Sequence, residues 1–306
     1  MSWVELPETG LIRMQGPDAR AFLQGQVTND VLAVGGERSS LGAFATAQGR
    51  VAALVRVLAL EDSLLLVLPR SEAQALHDRL ARHVLRAKVE LTDESDAWSA
   101  IGLLDAGGVA ALAAGADALP AQTGAVARIG ELVVVALDPA PRVVVLAPRA
   151  AIAALITALP DPAAPSGLWR LAEIRSGWPE VVTETRELFL AQALNLDLLG
   201  AVSFRKGCYT GQEIIARTQH LGRISRRMFR AHVDAPPPPA GTPVLARGEI
   251  TGHVVSAETD ERDGCELLAT LSVGDRNETL RIGDAPPLER QPLPYPVPEL
   301  DGTPTT

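Results

Sequence analysis

The residue best suited to chemistry in this 306-residue chain is Cys208. Thr210 and Glu213, just after it, have the S/T-x-x-E spacing of a capping box, which predicts a helix that starts at Gly211. The exposed N–H groups and the dipole of a helix N-terminus favour an anion. A nearby cation also favours the thiolate, and Lys206 lies close to the cysteine in sequence. The pattern predicts a reactive or ligand-binding thiolate at Cys208, and a buried structural cysteine is the alternative.

Positive charge is concentrated in the segment 205–230, which contains this cysteine. The segment has seven Lys or Arg residues and a single acid, Glu213, although the whole chain has a formal net charge of −9. It is therefore a candidate anion site, and a solvated basic face is the alternative. Arg217 lies one helical turn after Glu213, a spacing that allows an ion pair between them. The acidic balance of the whole chain argues against direct nucleic-acid binding, which depends on neutralising phosphates.

Composition indicates a globular protein of about two or three domains. Its hydrophobic fraction of 47% is sufficient for a sizeable core. The cysteines Cys208 and Cys265 cannot form a disulfide framework, and neither belongs to a C-x-x-C pair, so no metal site is predicted. The N-terminal residues show no signal-peptide pattern, and apolar runs elsewhere have only strand length. We therefore expect a protein of the reducing cytoplasm that does not span a membrane.

The elements that position these residues follow a pattern that occurs twice. Each time, the predicted order is β-α-β-β-α-β, which is typical of a ferredoxin-like unit. The first unit covers residues 1–95, where Ser71 is expected to cap the second helix. The second unit covers residues 96–233 and includes a helix at 109–119 as well as the cysteine segment. Two such units indicate a split α+β body.

The C-terminal part of the chain has a different character. Four consecutive prolines at 236–239 cannot continue a helix or a central strand, so they mark a linker or a domain edge. Alternating strands over residues 240–290 predict a small antiparallel β-barrel. Residues 291–306 form a proline-rich tail that is expected to pack in extended form or to fray. The predicted fold class is thus α+β, with two ferredoxin-like portions and a C-terminal barrel.

The most specific motif in the chain is Lys206-Gly207-Cys208-Tyr209-Thr210-Gly211-Gln212-Glu213. Together with the stretches 16–30, 195–204 and 292–295, it resembles the YgfZ family of folate-binding proteins, relatives of the aminomethyltransferase of glycine cleavage. The resemblance spans nearly the whole chain. It implies a three-part ring around a channel that receives tetrahydrofolate. It also implies a role in the synthesis or repair of iron–sulfur proteins, and through them an indirect effect on tRNA modification.

The resemblance also implies particular ligand contacts. Trp169 matches a family tryptophan that lines the folate pocket, where an indole can stack on a pterin; a core tryptophan is the alternative. Gln192 and Asn195 can supply amide donors and acceptors to the pterin edge. Asn195 can equally form a turn. Arg217 is included among the folate contacts, and Lys206 can attract an anionic glutamyl tail or activate the neighbouring thiol.

One feature of the glycine-cleavage relative is missing. That enzyme has a catalytic aspartate shortly after a glycine in an early strand, whereas residues 49–54 contain no carboxylate. Nothing obvious would then orient the folate amine or stabilise its charge, so aminomethyl transfer is not expected.

Three functions therefore stay open. The first is a folate-binding accessory factor for iron–sulfur proteins or their assembly machinery, with Cys208 as its essential thiol. One thiolate cannot hold a cluster alone, because clusters need about four ligands. The second is a folate- or thiol-dependent transferase in which Cys208 is the nucleophile. The third is a non-catalytic folate sensor, in which the motif only shapes a loop.

Overall fold

The computed structural model describes residues 2–105, 122–137, 142–159, 162–220 and 224–301. The contacts within the chain divide it into two compact units. The first unit contains Met1–Gly25, Asp30–Gly42 and Val55–Trp169, and the second contains Gln26–Asn29, Ala43–Leu54 and Arg170–Thr306. The four-part division predicted from the sequence, with boundaries near 95, 233 and 290, stays a prediction.

The described residues form strands, helices and three short 3-10 turns. The strands are β1 (Trp3–Glu5), β2 (Thr9–Gln15), β3 (Ser40–Ala45), β4 (Val51–Ala59), β5 (Ser63–Pro69), β6 (Glu90–Asp93), β7 (Trp98–Leu103), β8 (Val126–Ile129), β9 (Leu132–Ala136), β10 (Val143–Pro148), β11 (Arg226–Val233), β12 (Pro243–Ala246), β13 (Glu249–Thr259), β14 (Cys265–Ser272), β15 (Leu280–Arg281) and β16 (Glu289–Gln291). The helices are α1 (Ala19–Gln24), α2 (Arg70–Val84), α3 (Arg149–Ala158), α4 (Gly167–Arg175), α5 (Gln212–His220) and α6 (Pro298–Asp301). The 3-10 turns are Thr183–Thr185, Ala191–Leu194 and Val273–Asp275.

The first unit is built on two sheets, each of five strands. Their strand orders are β3-β4-β5-β2-β6 and β1-β7-β10-β9-β8. The last part of β3 and the part of β4 before Val55 belong to the second unit. Strand β4 is apolar and buried along almost its whole length, as expected for a strand covered on both faces. On α2, Ala73, Leu76 and Leu80 are buried at helical spacing and face the core. Pairings such as β2 with β5 and β10 with β7 are antiparallel, so the fold class is α+β with antiparallel sheets.

The second unit contains one six-stranded sheet near its C-terminus, with the order β15-β12-β13-β14-β11-β16. Its central pairings are antiparallel, and irregularities interrupt the register of β13 with both of its neighbours. Such bulges increase the local bend and twist of a strand. The predicted strands of the C-terminal part are confirmed, and they form a curled sheet whose edges are β15 and β16.

Several local expectations need correction. Helix α2 begins at Arg70, with Pro69 as its N-cap and no side-chain cap, so Ser71 lies inside the first turn. Proline is tolerated at a helix start because its missing N–H would have had no partner there. The proline-rich tail contains an ordered helix, α6, as far as Asp301. The helix predicted at 109–119 lies outside the described residues.

Across the described ranges, no helix is both long enough and apolar enough to cross a bilayer.

Candidate functional site

The cysteine motif leads directly into helix α5. The helix begins at Gln212, one residue after the predicted start, and Gly211 precedes it with φ +82°. The Ile215 N–H donates to the Gly211 carbonyl at 3.2 Å, which closes the first turn. The buried face of the helix carries Ile215, and Ile214 lies against Gly49. The sequence signature therefore sets both where this helix starts and which face it buries.

Gly211 is required for this geometry, and its replacement gives a test. A Cβ on Gly211 would lie 2.3 Å from the Thr46 carbonyl oxygen, and its positive φ is unfavourable for any side chain. We expect Gly211→Ala to lower the free energy of unfolding by about 1–3 kcal/mol. The matched control is Gly207→Ala, because a Cβ there meets no atom within 4 Å. Urea unfolding should show a change of less than about 0.5 kcal/mol for the control. Equal stability of the two variants would show that the turn tolerates a side chain.

Cys208 is exposed, so the alternative of a buried structural cysteine is wrong. Tyr209, the next residue, is buried and holds the segment against the unit. Its hydroxyl is buried and has no hydrogen-bond partner among the described residues. Burial raises the pKa of Tyr209 to about 12, so the group is a neutral donor near pH 7. The motif therefore presents a thiol outward and a phenol inward.

Lys206 anchors the motif to the loop 26–29. Its Nζ donates to the carbonyl oxygens of Val27 at 2.7 Å and Asn29 at 2.8 Å. The ammonium also lies 5.1 Å from the centre of the Tyr209 ring, a distance at which a cation–π contact is favourable. Two carbonyls and an aromatic ring thus already surround this cation. The structure gives Lys206 a role in positioning the loop that carries Cys208.

The predicted ion pair between Glu213 and Arg217 is not formed. Both side chains are exposed, and neither has a salt bridge or hydrogen bond to another described residue. An exposed pair at this spacing contributes only about 0.3–0.5 kcal/mol, which barely offsets the cost of ordering two long side chains. Arg205 is likewise exposed and has no described partner. Two cations of the basic segment are therefore available to an anion.

Other cations of that segment are structural. The Arg227 side chain is only 2% exposed and is paired with Asp197 and Glu299. Arg230 is partly buried beside Glu266. Both arginines belong to strand β11, in a segment whose charges had indicated a basic face and no strand. The alternation of apolar and charged residues from Met228 to Val233 is the signal that indicates a strand here.

Gln192 is a predicted ligand contact whose side-chain oxygen is available for a hydrogen bond. It lies in the 3-10 turn Ala191–Leu194 and is 1% exposed. Its Nε2 donates to the Ile215 carbonyl of α5 at 2.8 Å, which fixes the orientation of the amide. Its Oε1 is buried without a hydrogen-bond partner in the part of the chain that the structure describes. Buried acceptors almost always have a partner, so this oxygen is a candidate for a ligand donor.

Asn195 has the turn-forming role that was the alternative to a ligand contact. It is fully buried, and its left-handed backbone with φ +56° ends the 3-10 turn. Its Nδ2 donates to the Met228 carbonyl at 2.9 Å, and its Oδ1 accepts the Met228 N–H at 3.2 Å. Both ends of the amide thus bind the backbone of β11. The structure thus gives Asn195 a structural role, and its contact with a pterin stays a prediction.

Trp169 belongs to the first unit, at the N-terminal part of α4. Its side chain lies in the core and the residue is 7% exposed. The indole contacts the backbone of β7 so closely that a Cβ on Gly102 would come within 2.2 Å of it. The Arg142 guanidinium carbon lies 4.9 Å from the ring centre. This is the environment of a core tryptophan, with little surface left for stacking, and the contact of Trp169 with folate stays a prediction.

Similarity to known proteins supports the family assignment. No protein-family model matches the chain. The tRNA-modifying protein YgfZ of Edwardsiella ictaluri is 31% identical over 297 residues, which cover 93% of this chain and 89% of that protein. The protein of the same name from Colwellia psychrerythraea is 28% identical over 300 residues, or 95% of this chain and 92% of that one.

The fold agrees with this likeness. The glycine cleavage system aminomethyltransferase T of Bartonella henselae superposes with a TM-score of 0.78 at 16% identity, covering 96% of this chain and 85% of the other. At that level of identity the likeness concerns the fold alone. Together with the sequence similarity over almost its full length, it shows that the chain belongs to the YgfZ family.

Proposed function

We propose that this protein binds tetrahydrofolate or another reduced folate and acts as an accessory factor in the synthesis or repair of iron–sulfur proteins. Cys208 is its essential thiol, and tRNA modification depends on it indirectly, through iron–sulfur enzymes. The observation that carries the proposal is the exposed Cys208 within the family signature, next to the start of α5. The relatives' name, tRNA-modifying protein, agrees with such a role.

Two buried polar atoms support the binding of a small molecule with both donors and acceptors. The Gln192 Oε1 and the Tyr209 hydroxyl have no described partner. Leaving such a group unsatisfied costs about 1–3 kcal/mol, which a bound ligand would recover. A reduced pterin has N–H groups and a carbonyl oxygen, so it can satisfy either atom. Arg217 is exposed and can attract the anionic tail of a folate.

The residues present do not favour aminomethyl transfer. In the stretch 49–54 the position after Gly49 is Arg50, whose Nη1 donates to the Leu188 carbonyl at 2.8 Å. A cation there cannot stabilise positive charge on a folate amine as a carboxylate can.

A single thiol such as Cys208 also cannot hold a cluster, so it acts on a partner's iron or sulfur only transiently. We include in the proposal the family arrangement of two ferredoxin-like portions and a barrel around a folate channel, in a cytoplasmic protein.

Calorimetry with tetrahydrofolate tests the premise of this proposal. The wild-type protein is expected to bind with measurable heat. Gln192→Met keeps the volume of the side chain but loses both polar atoms, so its Kd should rise about 5- to 150-fold. The control is Gln219→Met, because Gln219 is an exposed glutamine of α5, the helix that the Gln192 side chain contacts. Absence of binding by the wild-type protein would overturn the proposal, and equal Kd values for the two variants would remove Gln192 from the site.

A further inference from the structure

An ionic cluster around the buried Arg227 contacts Gln192, a residue of the candidate site. Arg227 Nη1 donates to Asp197 Oδ1 at 2.7 Å and its Nη2 to Asp197 Oδ2 at 3.0 Å. On the other side, Nε and Nη2 donate to the two oxygens of Glu299, each at 3.0 Å. Burial alone would lower the pKa of Arg227, but the hydrogen bonds to Asp197 and Glu299 outweigh it and raise the pKa. One guanidinium therefore holds two carboxylates in fixed, bidentate geometry.

This cluster is connected to the helix that follows the cysteine. Arg227 Nη1 also donates to the main-chain oxygen of Gln192 at 3.1 Å. The Gln192 side chain in turn donates to the Ile215 carbonyl within α5 at 2.8 Å. A continuous series of hydrogen bonds thus leads from Glu299, through Arg227 and Gln192, to α5. Among the described residues, it fixes the side-chain amide whose buried oxygen has no hydrogen-bond partner.

The carboxylate at the far end of this series comes from the C-terminal segment. Glu299 lies in α6, and the proline-rich residues before it are also fixed in place. The Tyr295 hydroxyl donates to the Gly177 carbonyl at 2.9 Å. A Cβ on Gly177 would lie 2.8 Å from Leu293 and Tyr295, so the segment packs closely on that glycine. The segment 292–301 is therefore a fixed part of the second unit up to its last helix.

Stability alone is a poor explanation for such a cluster. Removing an arginine and two carboxylates from water is costly, and apolar residues of similar volume often give an equally stable or more stable protein. The ionic cluster instead fixes the positions of the groups that it binds, because bidentate pairs and short hydrogen bonds tolerate little displacement. The group held in position is Gln192, whose buried Oε1 must lie at hydrogen-bond distance from a ligand donor.

We infer that Arg227, Asp197 and Glu299 are positioning residues, which hold Gln192 and α5 in the arrangement that the ligand requires. The inference rests on the proposed folate site. It makes the C-terminal segment part of the functional site, since Glu299 completes the cluster. The ligand chemistry it selects is an N–H or O–H donor directed at Gln192, because the amide's own N–H is already bound to Ile215.

Glu299→Gln tests the inference, with Glu266→Gln as the matched control. Glu266 is also a buried carboxylate of the second unit, and it pairs with Arg175 and Arg230 without touching Gln192. Both variants should lower the melting temperature. Only Glu299→Gln should raise the Kd for tetrahydrofolate, by about 2- to 30-fold. A wild-type Kd in Glu299→Gln at a temperature where it is folded would overturn the inference.

An apolar replacement of the cluster separates positioning from stability. The triple variant Arg227→Met, Asp197→Leu, Glu299→Leu removes all three charges, so no unpaired charge is left buried. We expect it to be folded, with a melting temperature above that of Glu299→Gln, and yet to bind tetrahydrofolate more weakly than the wild type. Wild-type affinity in this variant would show that the cluster only stabilises the fold.

Reaction of Cys208 with iodoacetamide gives a readout that does not depend on folate. A displacement of α5 would move the segment that carries the exposed Cys208, so Glu299→Gln should react at a different rate from Glu266→Gln. If the wild-type protein does not bind tetrahydrofolate, the proposed function fails, and this rate still decides whether the cluster positions α5. Equal rates in the two variants would count against the inference.

Discussion

Cys208→Ala is expected to abolish the support that the protein gives to iron–sulfur enzymes, while its stability stays close to that of the wild type. The side chain is exposed, and exposed substitutions usually change stability by less than about 0.5 kcal/mol. The measurement is the activity of iron–sulfur enzymes in a deletion strain that carries either the wild-type or the variant protein, together with thermal melting of both. Loss of activity without loss of folding would assign the effect to the thiol itself.

The second cysteine is the matched control for this experiment. Cys265 is fully buried in the C-terminal sheet, and burial together with the nearby Asp260 raises the pKa of its thiol to about 11. It is therefore neutral and inaccessible near pH 7, and iodoacetamide should label the native protein at Cys208 only. Cys265→Ala should keep the iron–sulfur enzymes active at some cost in stability, because it leaves a small cavity.

Two results would contradict the prediction. Wild-type enzyme activities in the Cys208→Ala strain would remove the thiol from the function and leave the folate-sensor hypothesis. A stable covalent adduct between Cys208 and a one-carbon or acyl donor, with burst kinetics, would instead indicate a transferase.

The strands and helices with strong apolar periodicity could be predicted from the sequence. Helix α2 begins at Arg70, close to the cap expected at Ser71, and the strands β12 to β14 lie within the predicted stretch 240–290. Strand β11 was not predicted because its arginines indicated a solvated basic face. The structure buries the Arg227 side chain between two carboxylates that are distant in sequence, Asp197 and Glu299. A local pattern contains no information about such partners.

The candidate site shows the same limit more sharply. The motif indicated the exposed Cys208 and, within one residue, the start of α5. It did not indicate that Lys206 binds the carbonyls of the loop 26–29, or that the Asn195 amide is bound at both ends to Met228. These contacts join segments far apart in sequence, so the residue types suggest a ligand contact where the fold supplies a protein partner.

Trp169→Ala is expected to have the largest effect on stability. The indole is packed in the core of the first unit, directly on Gly102 of β7. Truncation of a buried tryptophan costs about 3–5 kcal/mol through lost burial and the cavity left behind. The Arg142 guanidinium, 4.9 Å from the ring centre, would also lose its aromatic partner. Urea unfolding should show this loss as a lower midpoint with an unchanged slope.

Trp169→Phe separates this packing role from a role in stacking on folate. Phenylalanine keeps an aromatic face but fills less of the space beside Gly102, so the variant should be less stable than the wild type and more stable than Trp169→Ala. Because the residue is 7% exposed, we expect the Kd of this variant for tetrahydrofolate to match that of the wild type under conditions where both are folded. A clear rise in Kd would mean that the ligand reaches the indole in spite of its burial. The tryptophan would then both pack in the core and contact the ligand.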